Sequence, residues 1–137
     1  MRVPKHEPTF AGETVRGLSV WAGAAVLGSF GCSLVLAAAI DGGYSKDALR
    51  DTYFVGFDSL IFTLPGSGLL MLAFAWLGGR SLPLIARYLC LMAIGGVAGA
   101  AMLMLGGLGR GALVGFGYGS ATALFWSILH AAIYRGR

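Results

Sequence analysis

Apolar residues fill this chain in four long blocks, at about 15–40, 55–77, 84–105 and 112–134, with short polar segments between them. Within each block the apolar run is nearly continuous. A strand of a membrane barrel alternates polar and apolar positions over about ten residues, and none of the blocks does so. A hydrocarbon core about 30 Å thick needs roughly 20 helical residues to cross it, and every block is long enough. The pattern predicts an all-α, polytopic membrane protein. Its four transmembrane helices form an antiparallel bundle, because short connections make consecutive helices antiparallel neighbours. Residues 1–14, which hold two prolines, read as a polar tail. Residues 15–137 read as a single transmembrane domain.

Two interruptions refine the pattern. In the first connection, Gly42-Gly43 stops the first helix, and Ser45 is a candidate N-cap with Asp47 in the following turn. A short interfacial helix over 45–53 fits, with Tyr44, Leu49, Tyr53 and Phe54 against the headgroups. In the second block, Pro65 lies about ten residues in, or about 15 Å deep at 1.5 Å per residue. It removes a hydrogen bond to the Ile61 carbonyl, and Gly66 and Gly68 loosen the next turn. The second helix is therefore expected to break near Pro65.

Composition changes the picture only by excluding water as the solvent. The chain is 57% hydrophobic and 12% charged, with a mean hydropathy of +0.78. A soluble domain carries about 25% charged residues, and so few charges cannot cover a small soluble protein. Ala37-Ala38-Ala39 resembles a signal-peptide cleavage site, but the preceding run exceeds the usual apolar core of about 7–15 residues. That helix is expected to be retained.

The net charge of +4 reads as a topology signal. Arg2, Lys5, Arg16, Arg80, Arg87, Arg135 and Arg137 fall on one side; Lys46, Arg50 and Arg110 fall on the other. Lys and Arg accumulate on the cytoplasmic side. Both termini are therefore expected in the cytoplasm of a bacterial-type inner (plasma) membrane. Arg16 and Trp21 would mark the cytoplasmic boundary of the first helix. No clustering for nucleic acid is present.

Small residues form stripes. From Gly111, every fourth residue of the last block is small: Gly111, Gly115, Gly119, Ala123, Ser127 and Ala131. The third block holds Gly95 and Gly99, with Ala93, Val97 and Ala101 on a parallel row. The first holds Ala25, Ser29, Ser33 and Ala37, beside Ala24, Gly28 and Cys32. In lipid, helices associate through close van der Waals contact and interhelical hydrogen bonds, and small residues let backbones approach. These stripes, a glycine zipper in the last helix, are candidate packing interfaces. They serve either within the bundle or toward other membrane subunits or a second copy.

Chemistry is sparse. Asp58 is the one carboxylate expected within a span, about three residues inside the second. An unpaired charge at the centre of a span costs about 2.5–3.5 kcal/mol even on insertion scales. Ser59, Thr63 and Ser67 form an i, i+4 row beside it. Together with Pro65 these residues are the candidate ion or solute path. Cys32 and Cys90 have no metal-ligand spacing. His6 and His130 have no acid or nucleophile arranged around them. No catalytic constellation, metal site or cofactor is expected, and no motif identifies a family. The sequence points to a non-catalytic accessory subunit of a membrane complex or homo-oligomer. The alternative is a small channel or transporter built on the broken helix and Asp58.

Overall fold

The computed structural model describes residues 10–106 and 111–135. It is an all-α four-helix bundle of α1 (Phe10–Ile40), α2 (Lys46–Gly78), α3 (Leu84–Leu105) and α4 (Ala112–Tyr134). Each helix is long and apolar enough to cross a membrane. α3 and α4 have the expected bounds. α1 begins earlier than expected: Phe10–Thr14 are its first turns rather than part of a tail. Glu13 sits in that first turn, where the helix dipole favours an anion, and lies 3.8 Å from Arg16 one turn on.

The second helix departs further from expectation. The short helix expected over 45–53 is not separate; it is the beginning of α2, capped by the Ser45 hydroxyl, which accepts from the Ala48 amide at 3.1 Å. Ala48, Thr52 and Gly56 follow at four-residue spacing, and all three are buried. This small row lets the segment continue along the helix axis instead of bending onto the membrane surface. The Phe30 ring of α1 lies where a Cβ on Gly56 would come within 2.6 Å of it. Nor does Pro65 interrupt the helix, which runs unbroken from Lys46 to Gly78. One missing N–H is tolerated when neighbouring helices hold the chain in place.

Two glycines turn the chain between α1 and α2. Gly42 has φ +73° and Gly43 φ +155°, regions open to glycine and unfavourable for other residues. At the other end of α2, Arg87 ties the connection to α3. Its guanidinium donates to the Leu82 carbonyl at 3.0 Å and the Arg80 carbonyl at 3.2 Å.

The start of α1, the end of α4 and the α2–α3 connection lie at one end of the bundle, here the terminal end. The two remaining connections lie at the distal end. α1 packs between α2 and α4. α3 packs chiefly on α4. At the terminal end α2 closes on both: Leu70 and Leu77 join Val20, Ala24, Leu91, Ala123 and Trp126 in one buried cluster. Toward the distal end α2 stands away from α3 and α4.

Candidate functional site

The α3–α4 seam is backbone on backbone. A Cβ added to Gly95 would lie 2.6 Å from the Gly119 carbonyl oxygen. Added to Gly99, Gly115 or Gly119, it would run into the carbonyl of Gly115, Gly99 or Gly95 respectively. Only glycine allows this approach, and lipid supplies no competing driving force between the helices. The small stripe of α4 thus meets the glycines of α3 within one chain. Ala123 and Ser127 continue it, buried, with the Ser127 hydroxyl donating to the Ala123 carbonyl at 2.8 Å. Gly111 stands at the N-cap of α4, half-buried.

The α1 seams use hydroxyls as well. Ser29 and Thr63 share a buried hydrogen bond of 2.5 Å between α1 and α2. The Ser67 hydroxyl donates to the Trp21 carbonyl at 2.9 Å, and the Trp21 indole N–H donates to the Leu64 carbonyl at 2.8 Å. These two bonds brace α2 on either side of Pro65. Trp21 is half-buried and joins α1 to the middle of α2. Ser33 reaches the other way, to the Tyr118 hydroxyl of α4 at 2.5 Å. Ala25 is buried beside this row, and Gly28 admits Thr122 so closely that a Cβ there would meet its Cα at 2.7 Å.

The residues proposed as an ion or solute path therefore divide. Thr63 and Ser67 are buried and bonded to α1. Ser59 turns its hydroxyl back onto the Gly56 carbonyl at 2.9 Å. Pro65 is exposed on the bundle exterior. Asp58 alone has no ion pair or hydrogen bond among the described residues. Arg50, the nearest described cation along the helix, is engaged by Asp47 at 3.8 Å and Asp51 at 3.7 Å.

Asp58 is exposed. Asp41, at the end of α1, and Asp51 of α2 line one small distal cleft. Asp58 lies seven residues further along α2, about 10 Å at 1.5 Å per residue. Thr63, bonded to Ser29, is only another five residues on.

Where α2 stands away, it leaves a cleft of about 260 Å³ between itself, α3 and α4. Asp58, Phe62, Gly66 and Leu69 form its α2 wall, Ile94, Ala98 and Met102 part of its α3 wall, and Tyr118 part of its floor on α4. Sequence reasoning missed this cleft. Its signal was the i, i+4 row Asp58–Phe62–Gly66, directly beside the hydroxyl row that drew attention instead.

At the terminal end an aromatic group closes the bundle. Trp126, His130 and Tyr134 stack along α4 with centroids 4.9 and 4.7 Å apart. Phe74 of α2 packs 4.6 Å from the His130 ring, and Tyr88 of α3 shares a 3.1 Å hydrogen bond with His130 Nδ1. The indole N–H of Trp126 is buried with no hydrogen-bond partner among the described residues. Cys32 and Cys90 are free and half-buried. Among the described residues, no three His, Cys, Asp or Glu side chains gather to hold a metal ion.

Comparison with protein-family models, with curated proteins and with solved structures gives no match for this chain. What stands is a small, hydrophobic, all-helical protein whose four helices can each span a membrane.

Proposed function

We propose that this chain is a non-catalytic subunit of a membrane assembly. It would act through its lipid-facing flanks, either within a larger inner-membrane complex or as a homo-oligomer. One observation carries the reading: the interior is committed to packing. Glycines join α3 to α4, and Ser29, Ser33, Thr63, Ser67 and Trp21 join α1 to its neighbours. What is left to meet a partner lies outside, including the exposed row Ala93, Val97 and Ala101 on α3. The distribution of Lys and Arg supports both termini lying in the cytoplasm.

Gentle extraction followed by native mass measurement tests the assembly. A stoichiometric complex or oligomer is expected, with partial dissociation when Val97→Trp and Ala101→Trp roughen the outer row. A monomer that carries nothing stoichiometric overturns the reading. Cysteines placed at residues 11 and 135 should both be labelled only from the cytoplasmic side.

A second reading, a small ion or solute transporter, is favoured by Asp58 lining an open cleft. The engaged hydroxyls of Thr63 and Ser67 weigh against a polar path through the bundle. Flux in liposomes that falls with Asp58→Asn and Pro65→Ala would support transport; flux no higher than in empty vesicles would remove it.

A further inference from the structure

We infer that the corner where α2 passes into α3 binds one anionic phospholipid, with its phosphate on Arg80 and Arg87 and its acyl chains along the exposed flank of α2. This goes beyond the assembly reading and requires only that the four helices span a bilayer.

Three observations combine. The first is unbalanced charge. Arg16, Arg80, Arg87 and Arg135 lie at the terminal end, where Glu13 is the one carboxylate among the described residues. Glu13 is on α1, beside Arg16. Arg80, Arg87 and Arg135 have no carboxylate within ion-pair distance among the described residues. Arg135, just past the end of α4, lies within electrostatic reach of the Tyr88 hydroxyl and so adds to the field of the same corner. The distal end is mixed by contrast. Lys46 and Arg50 stand there among Asp41, Asp47 and Asp51, and two of those acids engage Arg50. An anion is favoured at one end of the bundle only.

The second observation is order. Arg87 is half-buried, and its guanidinium is fixed by donating to the Leu82 and Arg80 carbonyls. A guanidinium carries five N–H donors, so Arg87 keeps most of its own for a ligand. The Arg80 guanidinium lies over the Trp76 ring, 4.2 Å from its centroid, where the ring quadrupole attracts a cation. One connection thus holds two cations in place, with no acid to neutralise them. Planar guanidinium forks match phosphate oxygens.

The third observation is the flank beside them. Trp76 is 61% exposed, and Leu72 and Leu69 continue along α2, also exposed. A soluble anion would use the guanidinium groups and leave this flank unused. A zwitterionic lipid would cover the flank but bring its own ammonium group toward the arginines. An anionic phospholipid satisfies both, and basic sites between membrane helices recognise such headgroups.

The test is native mass measurement on the full chain, released from mild detergent that holds equal amounts of phosphatidylglycerol and phosphatidylcholine of resolvable mass. Each cationic side chain near a lipid surface is worth about fivefold in affinity. The native protein should retain one phosphatidylglycerol, preferred by about 25-fold, the product for Arg80 and Arg87. Arg80→Gln should lower that preference about fivefold, whereas Arg80→Lys should keep most of it. Lys46→Gln removes the same charge at the distal end and should leave the preference unchanged.

Equal retention of the two lipids by the native protein overturns the inference. So does a preference that falls as far in Lys46→Gln as in Arg80→Gln, because net charge alone would then be selecting. Inorganic phosphate that displaces phosphatidylglycerol at equal concentration would assign the corner to a soluble anion and overturn the inference too. Should Arg80→Gln fail to fold, Trp76→Leu decides. It keeps every charge but removes the ring beneath Arg80, and the preference should fall about twofold or more; an unchanged preference overturns the inference.

Discussion

The α3–α4 and α2–α3 seams each join consecutive helices through a short connection, yet one is shut and the other open. Between α3 and α4, glycines face glycines and carbonyls lie where side chains would be. Between α2 and α3, contact is made at the terminal end, where Phe74 stacks on Tyr88 with centroids 5.9 Å apart. Farther along, Gly66 of α2 faces empty space. A tight connection brings two helices near each other; only matching small residues on both faces lets their backbones meet. Gly95 and Gly99 have one bare side each, and α4 occupies it. Gly95, Ala98 and Gly99 also border the cleft, but α2 brings Phe62 and Leu69 to its opposite wall, so the backbones do not meet there and the cleft persists.

The same substitution in the two seams gives the sharpest contrast. Gly119→Leu drives a side chain into the Gly95 carbonyl, and overpacking of this kind costs about 3 kcal/mol or more. Loss of monodisperse protein in mild detergent is expected, or a much earlier unfolding transition in denaturing detergent. An unchanged transition would mean that the backbones do not touch.

Smaller effects belong to the hydroxyl-bonded seam. Ser29→Ala removes the bond to Thr63, and interhelical bonds in membranes average about 0.6 kcal/mol with a maximum near 1.7. Destabilisation within that range is expected from the same unfolding curve. Loss as large as that of Gly119→Leu would place the main adhesive of the bundle between α1 and α2 instead. Tyr88→Phe, which removes only the half-buried contact with His130, should fall near the lower figure, about 0.6 kcal/mol. Thermal unfolding in detergent followed by circular dichroism can resolve it.

The smallest stability change is expected from Gly66→Leu. No atom stands in its way, and replacing a mid-helix glycine regains up to about 1 kcal/mol of helix propensity. A folded yield equal to or above the native protein's is the expected result. Destabilisation comparable to Gly119→Leu would show that the cleft is closed in the membrane, and the contrast between the seams would vanish.

The hydropathy of each block, a property of consecutive residues, was enough to determine four helices long and apolar enough to cross a membrane, and the bounds of α3 and α4. Ser45 and Gly42-Gly43 marked their cap and turn for the same local reason. Local reading failed where a neighbour intervened. Pro65 looked like a break, but Trp21 and Ser67 brace α2 across it. Residues 45–53 looked like a separate short helix, but they run on into α2, with Ala48, Thr52 and Gly56 buried along it. The site was legible only in outline, as one acidic residue beside a hydroxyl row. Which stripe meets which and where the helices part were decided by the tertiary structure alone. Those depend on the rotation and register of whole helices against each other, and a periodic row of small residues permits contact without naming its partner.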